Sequence, residues 1–148
     1  MALKTIEEYI EVIYTLEMRS GRAHTTNIAS ELKIKPPSVT EMLQKLHGMD
    51  LVIYEPYRGA KLTPPGIEMA QELMQSHKTL VEFFEIIGID NETAEVDACQ
   101  IEHHVAAKTM IQLRKFIEFI QKAPCEPIWL KHFEYFDKTG ERKKCNLK

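Results

Sequence analysis

Residues 25–63 contain the pattern that most constrains the fold of this chain. A short helical pattern is followed by a turn at 33–35, and a second helix opens with two prolines, which suit the first turn of a helix. Residues 51–54 and 60–63 are then two β-strand patterns joined by turn residues. With a helix predicted over residues 4–18, this order of elements predicts a winged helix-turn-helix.

The second short helix has an outward face that suits DNA. Gln44 can pair with adenine, Thr40 can contact a base, and Lys45 can hold a phosphate. Arg58 and Lys61, on or beside the wing, can reach a phosphate or the minor groove. The predicted DNA-binding residues are Lys35, Pro36, Pro37, Ser38, Thr40, Gln44, Lys45, Tyr57, Arg58 and Lys61.

The charge of this segment supports the same interpretation. Residues 33–61 carry five basic and three acidic side chains, so the segment is mildly positive in a chain of net charge −3. A small helical hairpin with another role has the same helical periodicity. The hairpin of strands and the local charge favour DNA binding over that alternative.

A thiol, a carboxylate and two imidazoles occur together at residues 99–104. At about 100° per residue of a helix, Cys99, Glu102 and His103 fall within an arc of about 100°, whereas His104 points away. Sulfur, oxygen and nitrogen donors on one face suit a divalent transition metal. The alternative is a buried Cys99 on an ordinary amphipathic helix whose polar side chains face water.

Two further sets of side chains have both a structural and a metal-binding interpretation. Glu8 and Glu11, three residues apart on the first helix, form either a solvated acidic face or a pair of oxygen ligands. His77 lies in the apolar seam of a long helix predicted after residue 63, as a core residue or as a ligand. The spacing of Cys125, His132 and Cys145 fits no compact metal site.

Composition narrows the class of protein. No apolar run approaches the ~20 residues of a membrane span, and there is no signal-peptide pattern, so we expect a cytoplasmic protein without a membrane partner. Three cysteines do not indicate a disulfide framework. A zinc hydrolase is disfavoured because the chain has no His-Glu-x-x-His motif, and we expect no enzyme activity.

The predicted fold class is mainly α with a small β-hairpin: an N-terminal winged helix-turn-helix followed by an all-helical dimerisation domain. The apolar helical surface beyond the winged helix predicts a homodimer. The expected divisions are a DNA-binding domain over 1–70, a metal-binding and dimerisation domain over 71–123, and a C-terminal tail over 124–148 with a short helix packed on the body.

These motifs resemble the diphtheria toxin repressor family of metal-activated repressors, and among them the manganese transport regulators. The resemblance covers roughly residues 4–122. It is carried by Tyr9-Ile10-Glu11, Pro37-Ser38-Val39-Thr40, Gln44-Lys45-Leu46, Ile53-Tyr54-Glu55, Tyr57-Arg58-Gly59, Ile86-Ile87-Gly88 and Ile101-Glu102-His103-His104.

The resemblance implies a set of six metal ligands. Position 99 is a carboxylate in typical manganese regulators and Cys in the iron-type branch, so the chain combines features of both. Val81 stands where many members have a second carboxylate, and we expect no counterpart of the third domain of the iron-type members. The implied ligands are Glu8, Glu11, His77, Cys99, Glu102 and His103.

The function implied by the resemblance is a homodimeric, metal-activated transcriptional repressor in metal-ion homeostasis. A divalent ion would link the DNA-binding and dimerisation domains and fix the spacing of the recognition helices on double-stranded operator DNA, expected to be palindromic. Mn²⁺ or Fe²⁺ is favoured, with Co²⁺ or Zn²⁺ possible in vitro. The alternative is a winged-helix regulator that senses a non-metal ligand, which would keep its operator affinity in a chelator.

Overall fold

The computed structural model of the protein describes residues 2–144, with side chains from Ile6 onward. Within these residues it forms two compact units, which divide between Ser76 and His77. The elements in chain order are α1 (Ala2–Ser20), α2 (Thr25–Leu32), α3 (Pro36–Gly48), β1 (Val52–Glu55), β2 (Gly59–Leu62), α4 (Pro64–Ile86), α5 (Asn91–Ile101), α6 (Ala107–Gln121) and α7 (Ile128–Thr139). This order confirms the predicted fold class.

Unit 1 is built around the apolar face of α1. Ile6, Ile10, Ile13 and Leu16 recur at helical spacing, and all four are buried in one core with residues of α2, α3 and the strands. Burial also raises the pKa of the Tyr9 phenol in this core. Residues of α3 and of the hairpin belong to this same core, so the two elements that the sequence predicts to face DNA share one scaffold.

The β-hairpin is short and is held by the rest of unit 1. Strands β1 and β2 pair antiparallel, with Glu55 opposite Gly59 next to the turn. On the other side of β2, Ala23 and Ala60 exchange backbone hydrogen bonds of 2.9 and 2.8 Å. Gly59 has φ +84°, and a Cβ there would lie 2.5 Å from the Ala23 carbonyl oxygen, so only glycine fits.

Helix α4 begins at a side-chain cap and continues into unit 2. The Thr63 hydroxyl accepts a hydrogen bond from the Gly66 N–H at 3.3 Å and donates one to the Asp50 carbonyl at 2.6 Å. The helix ends at Ile86, and Gly88 follows with φ +100°. The long helix predicted after residue 63 is confirmed.

Unit 2 has a second, smaller core. Leu80 and Val81 of α4 pack with Ala94 and Ala98 of α5 and with Met110 of α6. The tail forms a helix, α7, in which no residue is fully buried, although the Trp129 ring stacks on Phe116 with centroids 6.2 Å apart. None of the helices in the described part of the chain is long and apolar enough to cross a membrane.

The segment 99–104 departs from the single helix expected there. Helix α5 ends at Ile101, and Glu102 is its C-cap with φ −56° and ψ −29°. The Glu102 N–H still bonds the Ala98 carbonyl at 3.0 Å, while the His104 N–H bonds Ile101 at 2.9 Å, which tightens the chain into a turn. Glu102 thus keeps helical dihedral angles, and the chain leaves the α-helix only after it.

Candidate metal centre and nucleic-acid interface

The centre of the candidate metal site is the carboxylate of Glu102. Its side chain is 2% exposed, and its Oε2 lies 2.8 Å from Nδ1 of His77. Its other oxygen, Oε1, lies 3.3 Å from Nε2 of His103, whose side chain is 3% exposed. A buried carboxylate requires charged or hydrogen-bonding partners, and here two imidazole rings supply them.

Three of the six sequence-predicted ligands therefore lie together within unit 2. Their two imidazole nitrogens and one carboxylate form a donor set that suits divalent transition metals. The Glu102 and His103 side chains are almost fully buried and the His77 side chain is 28% exposed, and the close approach of the three groups fits such an ion. The side chains that could hold it from this unit are His77, Glu102 and His103.

Cys99 is exposed, whereas Glu102 is buried. This is the reverse of the alternative in which a buried cysteine sits on a helix with a solvated glutamate. Glu8 and Glu11 are half-buried on α1 of unit 1, where Glu11 lines a small cavity with Val12 and Thr15. These two carboxylates thus belong to the winged-helix unit, as the sequence predicted for the first helix.

Glu95 is a neighbour of the site that sequence reasoning missed. Its Oε2 lies 2.5 Å from Nε2 of His77, the ring nitrogen that does not face Glu102. A signal for it was present, because Glu95, Cys99 and Glu102 have the i, i+4, i+7 spacing of one helix face. Val81, in contrast, is buried in the apolar core and offers no donor atom.

Helix α3 presents the polar face that the sequence predicted. Val39, Leu43 and Leu46 are buried. The exposed residues of this helix and of its N-cap include Lys35, Pro36, Pro37, Ser38, Gln44 and Lys45. Thr40 differs from expectation: it is half-buried, and its hydroxyl donates to the Pro36 carbonyl at 3.3 Å, so its outward group is mainly the methyl.

The wing carries the other predicted DNA-binding residues. Tyr57 is fully exposed at the tip and adopts the left-handed conformation with φ +68°. Nη1 of Arg58 lies 3.4 Å from Oε2 of Glu55, and the side chains of Arg58 and Lys61 are both exposed. A groove in unit 1 runs between the wing, Thr40 and the start of α2. Six of its lining residues were not among the predicted DNA-binding residues: His24, Thr25, Thr26, Tyr54, Pro56 and Gly59.

Among the described residues, Cys125 and His132 belong to no group of side chains close enough to hold a metal ion. Cys125 is exposed, and His132 is half-buried on α7, where it lines an apolar groove with Trp129 and Phe136. Cys145 lies outside the described residues.

A winged helix-turn-helix, followed by a helical unit with a buried carboxylate–imidazole cluster, defines a metal-responsive DNA-binding regulator. Residues 1–60 match the N-terminal DNA binding domain of the iron dependent repressors, and residues 63–130 match their metal binding and dimerisation domain. The chain belongs to the iron dependent repressor family. It is accordingly a metal-responsive, DNA-binding repressor of metal homeostasis and not an enzyme.

Similar proteins agree with this assignment. The chain is 39% identical over 124 residues to the HTH-type transcriptional regulator MntR of Listeria welshimeri, covering 84% of this chain and 87% of that protein. It is 37% identical over 131 residues to MntR of Bacillus pumilus, covering 88% and 91%. Its fold is similar to the structure of the manganese regulator SloR, with a TM-score of 0.64 and 28% identity. That likeness covers 77% of this chain but only 54% of SloR.

Proposed function

We propose that a divalent ion activates this repressor by binding to Glu8, Glu11, His77, Cys99, Glu102 and His103. The observation that carries the proposal is the buried carboxylate of Glu102, in contact with the imidazoles of His77 and His103. Two rings and a carboxylate gathered near the end of α5 provide three of the six proposed ligands within one unit.

The proposed activation depends on charge. Three carboxylates, together with the sulfur of Cys99 when it is a thiolate, repel one another when they are brought together, and a bound divalent ion supplies the positive charge that removes this repulsion. Glu8 and Glu11 belong to the unit that carries α3, so their participation makes the position of the recognition helix dependent on the metal. A coupling of about 1–3 kcal/mol, roughly 5–150-fold in affinity, is typical of such linkage.

In the DNA-bound state, we propose that α3 lies in the major groove. The amide of Gln44 reads a base edge, the Thr40 methyl contacts a thymine, and Lys45 and the wing residues Arg58 and Lys61 hold phosphates. A homodimer places two recognition helices ~34 Å apart, which matches one turn of DNA and implies a palindromic operator. Such a repressor acts where the genomic DNA is, and we expect it in the cytoplasm.

Mn²⁺ or Fe²⁺ is the proposed physiological ion. Relatives are named as manganese regulators, and carboxylate and imidazole donors suit both ions. Cys99 adds a softer donor, so Co²⁺ and Zn²⁺ also bind in vitro. The proposed functional division is a DNA-binding domain over 1–70, a metal-binding and dimerisation domain over 71–123, and a tail over 124–148.

The test begins with selection of double-stranded DNA from a random library in Mn²⁺, which gives the operator. Fluorescence anisotropy then measures operator affinity in chelator and in a series of Mn²⁺, Fe²⁺, Co²⁺ and Zn²⁺. We expect the affinity to fall roughly 5–150-fold in chelator, and the operator to tighten metal binding by the same factor. Unchanged operator affinity in chelator would instead support a regulator of a non-metal ligand.

Glu102→Gln tests the role of this carboxylate in metal activation, because it keeps the size of the side chain and removes its charge. It should abolish activation by metal while leaving weak, salt-sensitive DNA binding. Glu118→Gln is its control, since Glu118 lies on α6 and pairs with Lys122 instead of an imidazole. Equal metal activation of both variants would contradict the role of Glu102.

A further inference from the structure

The imidazole of His77 has a carboxylate at each of its two nitrogens. Nδ1 faces Glu102 Oε2 at 2.8 Å, and Nε2 faces Glu95 Oε2 at 2.5 Å. The two carboxylates are in different surroundings, because the Glu102 side chain is 2% exposed and the Glu95 side chain is 51% exposed. The ring thus has a buried side, towards the proposed metal ligand, and a side at the surface of the protein.

From this arrangement we infer that Glu95 is a positioning residue for the metal site. Its carboxylate accepts the Nε2–H of His77, fixes the orientation of the ring and presents Nδ1 to the metal on the side of Glu102. The inference rests on the proposed function, since it takes His77 as a ligand. It assigns a role to a residue that is outside the proposed ligand set.

The physical argument is the chemistry of a neutral imidazole. Such a ring carries a single N–H, so a ring that donates from Nε2 has its lone pair on Nδ1. A carboxylate at the second nitrogen of a metal-binding histidine selects this tautomer and makes the ring a stronger ligand. Loss of such a partner typically weakens metal affinity by about 10–100-fold.

The fold favours this contact over a chance surface ion pair. Glu95 lies on α5 between Ala94 and Ala98, which are buried in a core with residues of α4. His77 lies on α4 itself. Packing of these helices holds the carboxylate and the ring in register. Since Glu102 is the C-cap of the same helix, α5 determines the position of both carboxylates that flank the imidazole.

The experiment compares three full-length variants by Mn²⁺ titration. Glu95→Ala removes the acceptor, Glu95→Gln keeps an acceptor oxygen without the charge, and Asp97→Asn removes a charge from the same helix away from His77. We expect Glu95→Ala to weaken Mn²⁺ binding by about 10–100-fold, Asp97→Asn to leave it unchanged, and Glu95→Gln to lie near the wild type. Equal losses in all three variants would mean that only net charge matters, and the inference would be wrong.

A second measurement reports the tautomer of the His77 ring directly. The ¹⁵N shifts of His77 in the Zn²⁺-loaded protein, which is diamagnetic, should show Nε2 protonated and Nδ1 bound to metal in the wild type. Glu95→Ala should give a mixed or reversed pattern, which a purely structural role of Glu95 would not produce. An identical pattern in the two proteins overturns the inference.

Combination with His77→Ala separates this inference from the proposed function. If Glu95 acts through the ring, Glu95→Ala should weaken Mn²⁺ binding only where His77 is present. An equal loss in both backgrounds overturns the inference and leaves the metal site intact. Full Mn²⁺ affinity of His77→Ala would instead remove His77 from the ligands, and both the inference and that part of the proposed site would fall.

Discussion

The carboxylate of Glu17, near the end of α1, accepts a hydrogen bond from the backbone N–H of Leu62 in β2 at 2.9 Å. The contact joins the helix that carries Glu8 and Glu11 to the strand that forms one side of the wing. Since the residues involved belong to one compact unit, the orientation of the wing is tied to that of α1.

Glu17→Ala should loosen this connection. The Leu62 N–H would lose a charged acceptor in a partly buried place, which costs about 1–3 kcal/mol of unfolding free energy. Operator affinity should fall as well, because the wing is no longer held. Chemical denaturation and anisotropy measure the two effects, and Glu17→Gln, which keeps an acceptor oxygen, should lie near the wild type. A wild-type stability of Glu17→Ala would contradict the importance of the contact.

Gly59→Ala should destabilise the protein more than Gly21→Ala does. The two glycines have nearly the same φ, +84° and +83°, so the backbone strain of an alanine, about 1–3 kcal/mol, is common to both. A Cβ at 59 also lies 2.5 Å from the Ala23 carbonyl, whereas one at 21 meets no atom within 4 Å. Thermal melts of the two variants give the difference, and equal melting temperatures would show that the hairpin accommodates the extra carbon.

Cys99→Glu should move activation towards Mn²⁺. The change replaces a sulfur donor, which favours Fe²⁺, Co²⁺ or Zn²⁺, with a carboxylate, which Mn²⁺ prefers. Operator affinity across the four metals gives the ranking for the wild type, for Cys99→Glu and for Cys99→Ser, the control that removes the sulfur without adding a charge. The idea is wrong if the ranking is the same in all three proteins.

Asp90 should make the free energy of unfolding depend on pH in the acid range. Hydrogen bonds from the backbone and hydroxyl of Thr93 hold the pKa of this N-cap carboxyl below its usual value. A lowered pKa in the folded state means that the stabilisation is complete above the ordinary Asp range, about pH 4, and is lost as the pH falls through the folded-state pKa.

The comparison for Asp90 is Asp90→Asn, which keeps a capping oxygen but does not titrate. The difference in unfolding free energy between the two proteins should be constant from about pH 5 upwards and should change below about pH 4. Urea denaturation across this range measures it. A difference that is independent of pH would contradict the capping role of the charge.

The order of elements could be predicted from the sequence because each element carries its own periodicity. The face of α1, the two prolines that open α3 and the glycine at 88 are local signals, and the structure agrees with them. The resemblance of motifs then identified the family, which the matches over residues 1–130 confirm.

The details of the site could not be predicted in the same way. A helical wheel places Cys99 and Glu102 on one face, but it does not tell which of them is buried. That depends on what packs against the face: Glu102 lies beside His77 of α4 and beside His103, whereas Cys99 is exposed. The contact of Glu95 with His77 and the inward hydroxyl of Thr40 are likewise consequences of packing or of local bonding, which composition and spacing do not encode.

Tyr57 at the tip of the wing combines a left-handed backbone with an aromatic ring that is wholly in water. Glycine or asparagine would fit this backbone with less strain, and the ring gains nothing from burial in the protein alone. With the predicted role of Tyr57 in DNA binding, the sequence that folds best and the sequence that binds best differ at this position. Selection of variants for heat resistance alone should replace Tyr57, and it would remove a large part of the surface that the wing can offer to DNA.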